Sequence, residues 1–141
     1  MHIHHIGENN SILNTFISEI RDENIQKDAM RFRKNIERIG EILAYEMSKT
    51  LHFTKKDVVT PLGIKDMCLL DSDLILCSIL RAGLPLHQGL LNYFDHAQNA
   101  FISAYRKVEK DGSFDSFFSG IEFPNKSSSR FPNNDPLFYH L

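Results

Sequence analysis

Leu74-Ile75-Leu76-Cys77-Ser78-Ile79-Leu80-Arg81-Ala82-Gly83-Leu84-Pro85 decides how this chain folds. An apolar run broken only by a serine ends in an arginine, and a glycine turn then opens a helix. Continuous hydrophobicity of this kind predicts a strand from about Leu74 to Leu80, buried on both faces as in a parallel sheet. Pro85 suits the first turn of the helix that follows, which the apolar pattern extends from about Leu84 to Phe94. A second β-rich run, Ala100-Phe-Ile-Ser-Ala-Tyr105, then ends at Arg106-Lys107. Strand, helix and strand with short connections make a right-handed βαβ unit. Its glycine turn sets a cation and helix amides where an anion would dock.

Upstream the period is helical. Residues 11–21 place Ile12, Phe16, Ile17 and Ile20 on one face, with Ser11 as N-cap. A longer helix is predicted from about Gln26 to Lys49, through Ala29, Phe32, Ile36, Ile39, Leu43 and Met47. Gly40 interrupts that pattern. Close approach of another element would explain it, and so would a plain exposed weak spot. Asp57-Val-Val-Thr60 reads as a strand entering a Pro61 turn, with Ile64 to Leu70 as its hairpin partner. Beyond Arg106, Val108 to Ser116 reads as a turn or loop, and Phe117-Phe118 as the opening of another strand. After Gly120 the period is lost in a stretch of Pro, Ser and Asn.

Composition narrows the classes. With 141 residues, 42% apolar and 24% charged, the chain suits one globular domain. A formal charge of −2 gives no electrostatic case for nucleic acid or an acidic membrane. No apolar window is long enough for a membrane span, and the N-terminus does not read as a secretory signal. Cys68 and Cys77 lie in apolar, strand-like segments and are expected to be buried thiols of a cytoplasmic protein. His2, His4 and His5 could chelate a metal because imidazoles cluster there, but chain termini are usually mobile, so no metal site is expected. His87 and His96 are expected to cap their helix or face solvent.

Read in order, these segments resemble the uracil phosphoribosyltransferases, a type I phosphoribosyltransferase family. The resemblance covers roughly residues 10–120. It runs through Ile20-Arg21-Asp22, Phe32-Arg33, Ile39-Gly40 and Leu43-Ala44-Tyr45-Glu46. It continues through Thr60-Pro61-Leu62-Gly63, which looks like the family's TPLG turn, and Ile79-Leu80-Arg81-Ala82-Gly83-Leu84, which matches its ILRAGL segment. Ala104-Tyr105-Arg106 looks like its later YR pair. Each motif alone is weak, and together, in family order, they are specific.

The resemblance implies an α/β fold: N-terminal helices and a β-hairpin, then part of a doubly wound, mainly parallel sheet. It implies an enzyme that joins uracil to 5-phosphoribosyl-1-diphosphate, giving UMP and diphosphate, with Mg2+ carried by the diphosphate. Carried over by position, Arg81, Gly83 and Arg106 would bind phosphoribosyl diphosphate, with no catalytic residue assigned. Arginine forks suit the charge that gathers on a leaving diphosphate. Small-molecule substrates, no nucleic acid, no membrane and a homo-oligomer are the implied partners. The domain would occupy residues 1–120, and residues 121–141 would form a divergent tail. There Asp135-Pro136-Leu137 echoes the opening of the family's DPMLATG-type phosphate loop without its Ala-Thr-Gly. The expectation is that these 141 residues lack the phosphate loop and uracil segment and form no UMP alone. The alternative is a non-catalytic interaction protein that uses the family's subunit interface.

Overall fold

A computed structural model describes residues 5–108 and 114–122, with side chains to residue 104. In chain order it contains α1 (Ile12–Arg21), a short 3-10 turn (Ile25–Lys27) and α2 (Ala29–Ser48). The hairpin β1 (Phe53–Thr60) and β2 (Gly63–Leu70) follows, then β3 (Ile75–Leu80), α3 (Leu84–Leu91), β4 (Gln98–Val108) and β5 (Phe114–Glu122).

The helix starts follow from capping. Ser11 accepts from the Leu13 amide, and Asp28 accepts from the amides of Met30 and Arg31. That second cap makes α2 begin at Ala29, later than its apolar period suggested, and Ile25–Lys27 becomes the 3-10 turn before it. The buried faces match the expected ones in part: Ile39 is buried, and Phe16, Ile17, Ile20, Ile36, Leu43 and Met47 are half-buried. Leu13 is buried in α1 while Ile12 is exposed, and α2 buries Asn35, Ile39, Gly40 and Ala44 while Phe32 is exposed.

Gly40 lies where α2 meets α3. A Cβ built there would lie 2.5 Å from the Leu86 carbonyl oxygen and 3.2 Å from the Gly89 Cα. One built at Gly89 would collide with the Glu37 carbonyl. The two helices therefore meet backbone to backbone, and Gly40 is a contact rather than a weak spot. Buried Asn35 is held on the other side: its Nδ2 donates to Glu19 Oε2 at 2.6 Å, and Arg38 Nη1 donates to its Oδ1 at 3.0 Å.

Strands form two sheets. β1 and β2 pair antiparallel, with Thr60 opposite Gly63 across a Pro61-Leu62 turn. The Thr60 hydroxyl donates to the Gly63 carbonyl at 2.7 Å and accepts from the Leu62 amide, and Gly63 takes a φ of 134° that favours glycine. The other sheet has the order β3-β4-β5. β3 and β4 are parallel around the α3 crossover, and β5 returns antiparallel to β4. The class is α/β, and the sheet is mixed. Strand β5 includes residues 114–116, which the sequence placed in a loop.

Two burial expectations fail here. β3 buries Leu76 and half-buries Ser78 and Leu80, but its other face leaves Ile75, Cys77 and Ile79 exposed. Cys68 is exposed as well, because none of β2 is covered. The core instead gathers Ala44, Leu76 and Phe94 with Leu51, Leu74, Leu90, Leu91 and Ala97, between α2, α3 and the starts of β3 and β4. Phe94 belongs to that core, not to α3, which ends at Leu91 with Asn92 as its C-cap.

Candidate active site

Parallel strands β3 and β4 end side by side, and the expected site residues follow those ends. The register pairs Leu80 with Ser103, so Arg81 stands one residue beyond the last paired residue of β3. β4 runs on to Val108 and carries Arg106 past the same end, opposite Ser116 of β5. The register of β4 against β5 shifts between Ile102 and Ala104, beside the end of β3. Carboxyl ends of neighbouring parallel strands are where open α/β sheets place ligands. The topology thus brings Arg81, Gly83 and Arg106 to one end of the sheet. The Arg106 side chain lies outside the described residues.

The Arg81 side chain is exposed, and its guanidinium has no hydrogen-bond or ion-pair partner among the described residues. Among the described residues the ion pairs of Lys and Arg lie elsewhere: they join Glu19 to Arg31, Glu37 to Lys34, Glu46 to Lys49 and Asp71 to Lys56. An arginine at a strand end with its five donors uncommitted is chemically ready for a polyanion.

The Leu80–Arg81 peptide is cis. Gly83 has φ −72° and ψ −10°, and its amide donates to the Ile79 carbonyl at 3.0 Å. A Cβ there would lie 2.8 Å from that carbonyl oxygen, so the glycine lets the turn fold tightly against the end of β3. The Leu84 amide donates to the Arg81 carbonyl, and Pro85 has none to give. Among the described residues neither the Ala82 amide nor the Leu86 amide in the first turn of α3 has a backbone acceptor, so both turn and helix start present free donors.

His87 is the residue that sequence reasoning misplaced. It is 4% exposed, not solvent-facing, and its ring meets Ser78 of β3 and Asn99 of β4. Ser78 was the available signal: a polar residue inside an apolar strand, nine residues before a histidine. His96 does face solvent. Thr60 to Gly63 forms a turn at the tip of the hairpin that is closed by its own hydrogen bonds.

A small open pocket of about 150 Å³ lies at the opposite ends of the strands, bordered by Ser72, Asp73, Tyr93, Asp95 and His96. It is separate from the Arg81 turn, and the chemistry expected of this fold does not use that end. Among the described residues, no group of three or more His, Cys, Asp or Glu could hold a metal, and no helix is long and apolar enough to cross a membrane.

Comparison with known proteins addresses the same residues. A family profile described as uracil phosphoribosyltransferase matches residues 8–126. A uracil phosphoribosyltransferase of Porphyromonas gingivalis is 44% identical over 97% of this chain and 63% of its own length. One from Sulfolobus acidocaldarius is 40% identical over 70% of the chain and 46% of its own length. Among solved structures, the AQ2163 protein from Aquifex aeolicus superposes with a TM-score of 0.67 at 25% identity, covering 82% of this chain and 54% of that one. The chain thus spans less than two thirds of the length of the curated relatives it matches.

Proposed function

The chain belongs to the uracil phosphoribosyltransferase family, and from that premise we propose that it supplies the diphosphate-binding part of an enzyme that makes UMP. In that reaction a carbon–nitrogen bond to uracil replaces the carbon–oxygen bond to diphosphate at the sugar carbon. Mg2+ arrives with phosphoribosyl diphosphate as part of the substrate. Negative charge builds on the departing diphosphate as its bond stretches, and stabilising that charge lowers the barrier. Arg81 and Arg106, with Gly83 shaping the turn between strand and helix, are the residues assigned to that task.

The observation that carries this reading is the uncommitted Arg81 guanidinium at the end of β3, on the side of the sheet where β4 brings Arg106. A buried or paired arginine would have served the fold. This one has no partner among the described residues. The interaction-protein alternative has no such observation behind it, and the family match spans the site instead. A homo-oligomer is proposed as well, supported by the apolar, uncovered hairpin residues Val59, Leu62 and Ile64. A cytoplasmic location fits free cysteines and a phosphorylated substrate.

Titration calorimetry with Mg2+–phosphoribosyl diphosphate tests the assignment. Binding should be measurable, and Arg81→Ala should weaken it roughly ten- to a hundredfold, as loss of a charge-assisted bond of about 1.5–3 kcal/mol requires. Arg106→Ala should act in the same direction. An intact, folded chain that takes up no phosphoribosyl diphosphate would overturn the reading, and so would indifference to both substitutions.

A further inference from the structure

Among the described residues, His87 is the buried polar side chain between α3 and the sheet. The His87 ring lies within 2.8 Å of Ser78 Oγ through Nδ1 and within 2.8 Å of Asn99 Oδ1 through Nε2. With Asn99 Oδ1 as an acceptor, Nε2 donates to it, and Nδ1 accepts from the Ser78 hydroxyl. The ring also rests on Phe101, centroids 5.0 Å apart and planes tilted by 47°. Its backbone amide donates to the Gly83 carbonyl at 2.9 Å. A Cβ added to Gly83 would meet the Ser78 Cβ at 3.5 Å, so the serine lies beside the turn.

Burying a polar ring is costly unless each nitrogen is satisfied, and here both are. What this arrangement supplies is direction. Apolar contacts tolerate small rotations of a helix on a sheet, whereas two hydrogen bonds from opposite edges of one ring allow one orientation. The bonds run to different strands. Ser78 lies on β3 shortly before Arg81, and Asn99 lies on β4, the strand that carries Arg106.

We propose that His87 is a positioning residue for phosphoribosyl diphosphate binding: its ring ties the first turn of α3 to β3 and β4 and so holds the Arg81–Gly83 turn in its binding orientation. The proposal rests on the diphosphate reading of Arg81 given above. His87 touches no ligand in this scheme and acts through the turn alone. Leucine would fill the space and remove both bonds. Glutamine keeps one acceptor and one donor at similar reach.

The test uses the full chain with His87→Leu and His87→Gln, read by calorimetry with Mg2+–phosphoribosyl diphosphate and by amide hydrogen exchange, both below the melting temperature of each variant. His87→Leu should weaken binding about tenfold, since small misplacement of binding groups is costly, and His87→Gln should recover most of that loss. Exchange at residues 81–84 should quicken in His87→Leu, return in His87→Gln and stay unchanged around Leu13 in α1. Wild-type affinity in a folded His87→Leu would overturn the proposal. If the wild type bound no phosphoribosyl diphosphate, the reading of Arg81 would fall by itself. Exchange would then decide on His87: acceleration confined to residues 81–84 supports the tie, and no change overturns it. Should His87→Leu not fold, Ser78→Ala removes one hydroxyl and takes its place in both measurements. Weaker binding with faster exchange at residues 81–84 would then support the tie, and wild-type behaviour in both would overturn it.

Discussion

The α2–α3 pair and the β1–β2 hairpin are built from similarly apolar segments and meet opposite fates. In the helix pair, Gly40 and Gly89 let two backbones touch, and the side chains around them bury Ile39, Ala44 and Phe94. In the hairpin every residue of β2 is exposed, and Val59 and Leu62 are 81% and 101% accessible. The difference is not hydrophobicity but the presence of a facing surface. The helices hold each other by shape. The hairpin is held by its ladder, its Thr60 turn and the Lys56–Asp71 ion pair at 2.9 Å, and it presents its apolar residues outward.

Substitutions that erase the contrast should show it most strongly. Gly89→Ala adds a methyl group that collides with the Glu37 carbonyl, and backbone cannot move aside as a flexible side chain would. Overpacking of this kind costs about 1–3 kcal/mol or more, against roughly 1 kcal/mol that alanine contributes as a helix former, so the net effect is destabilising. Thermal melting should show a clear loss. A variant as stable as the wild type would mean the helices do not touch there.

Asn35→Leu probes the polar part of the same region. It removes the amide that joins the Glu19 carboxylate to the Arg38 guanidinium, leaving Glu19 only its 3.4 Å contact with Arg31. The loss of such a buried bridge is worth about 1–3 kcal/mol. Urea unfolding should register it as a lower midpoint with unchanged slope. A neutral or stabilising outcome would place the amide's net contribution near zero.

A pH series gives a smaller effect with a defined sign. The Asn35 amide, by hydrogen bonding, holds the Glu19 carboxyl below the usual range, with Arg31 adding to the effect. The Arg31 backbone amide does the same for Asp28 at the start of α2. Both folded values are depressed, so their contribution is full above the unfolded carboxylate range and is lost as pH falls through the folded values. The melting temperature should therefore drop on acidification below about pH 4, where an unfolded carboxylate takes up its proton. Asp28→Asn, which keeps a capping oxygen without the charge, should flatten that drop. An equally steep profile in the variant would remove Asp28 from the account.

Least change is expected at the hairpin tip. Leu62→Ser should shift stability by less than about 0.5 kcal/mol, as surface substitutions do. If the proposed oligomer forms through this patch, sedimentation should nevertheless show weaker self-association, because a fully exposed leucine has been removed from it. Unaltered association would move the contact away from the hairpin.

Much of the fold could be read from local signals, and the misreadings share one cause. Ser11, Asp28, the Pro61 turn and the apolar run before Arg81 act over a few residues, so periodicity and capping found their elements. Phe94 looked helical because its spacing was right, but its ring is drawn into the core by Ala44 and Leu76, which no short window contains. Ile75, Cys77 and Ile79 looked buried because apolar strands usually are, whereas burial depends on what lies opposite. His87 was misjudged for the same reason. Its partners stand 9 and 12 residues away, and only the crossover brings them together. At the candidate site the strand ends could be placed from sequence, while the inward packing of Gly83 against Ile79 required the turn itself. The expected divergent tail over residues 121–141, with its Asp135-Pro136-Leu137 echo, lies outside the described residues from 123 onward.

The glycine contact between α2 and α3 also bears on how this region comes apart. Side chains can loosen by changing rotamer, one at a time, but two backbones in contact have no such small steps available. The pair should open as a single cooperative unit, so that amides in the middle of α2 and along α3 exchange with one shared free energy while the hairpin exchanges far more readily. Arg81 sits on a turn anchored to that unit. The binding geometry proposed for it would then vanish in one step with rising temperature instead of degrading gradually.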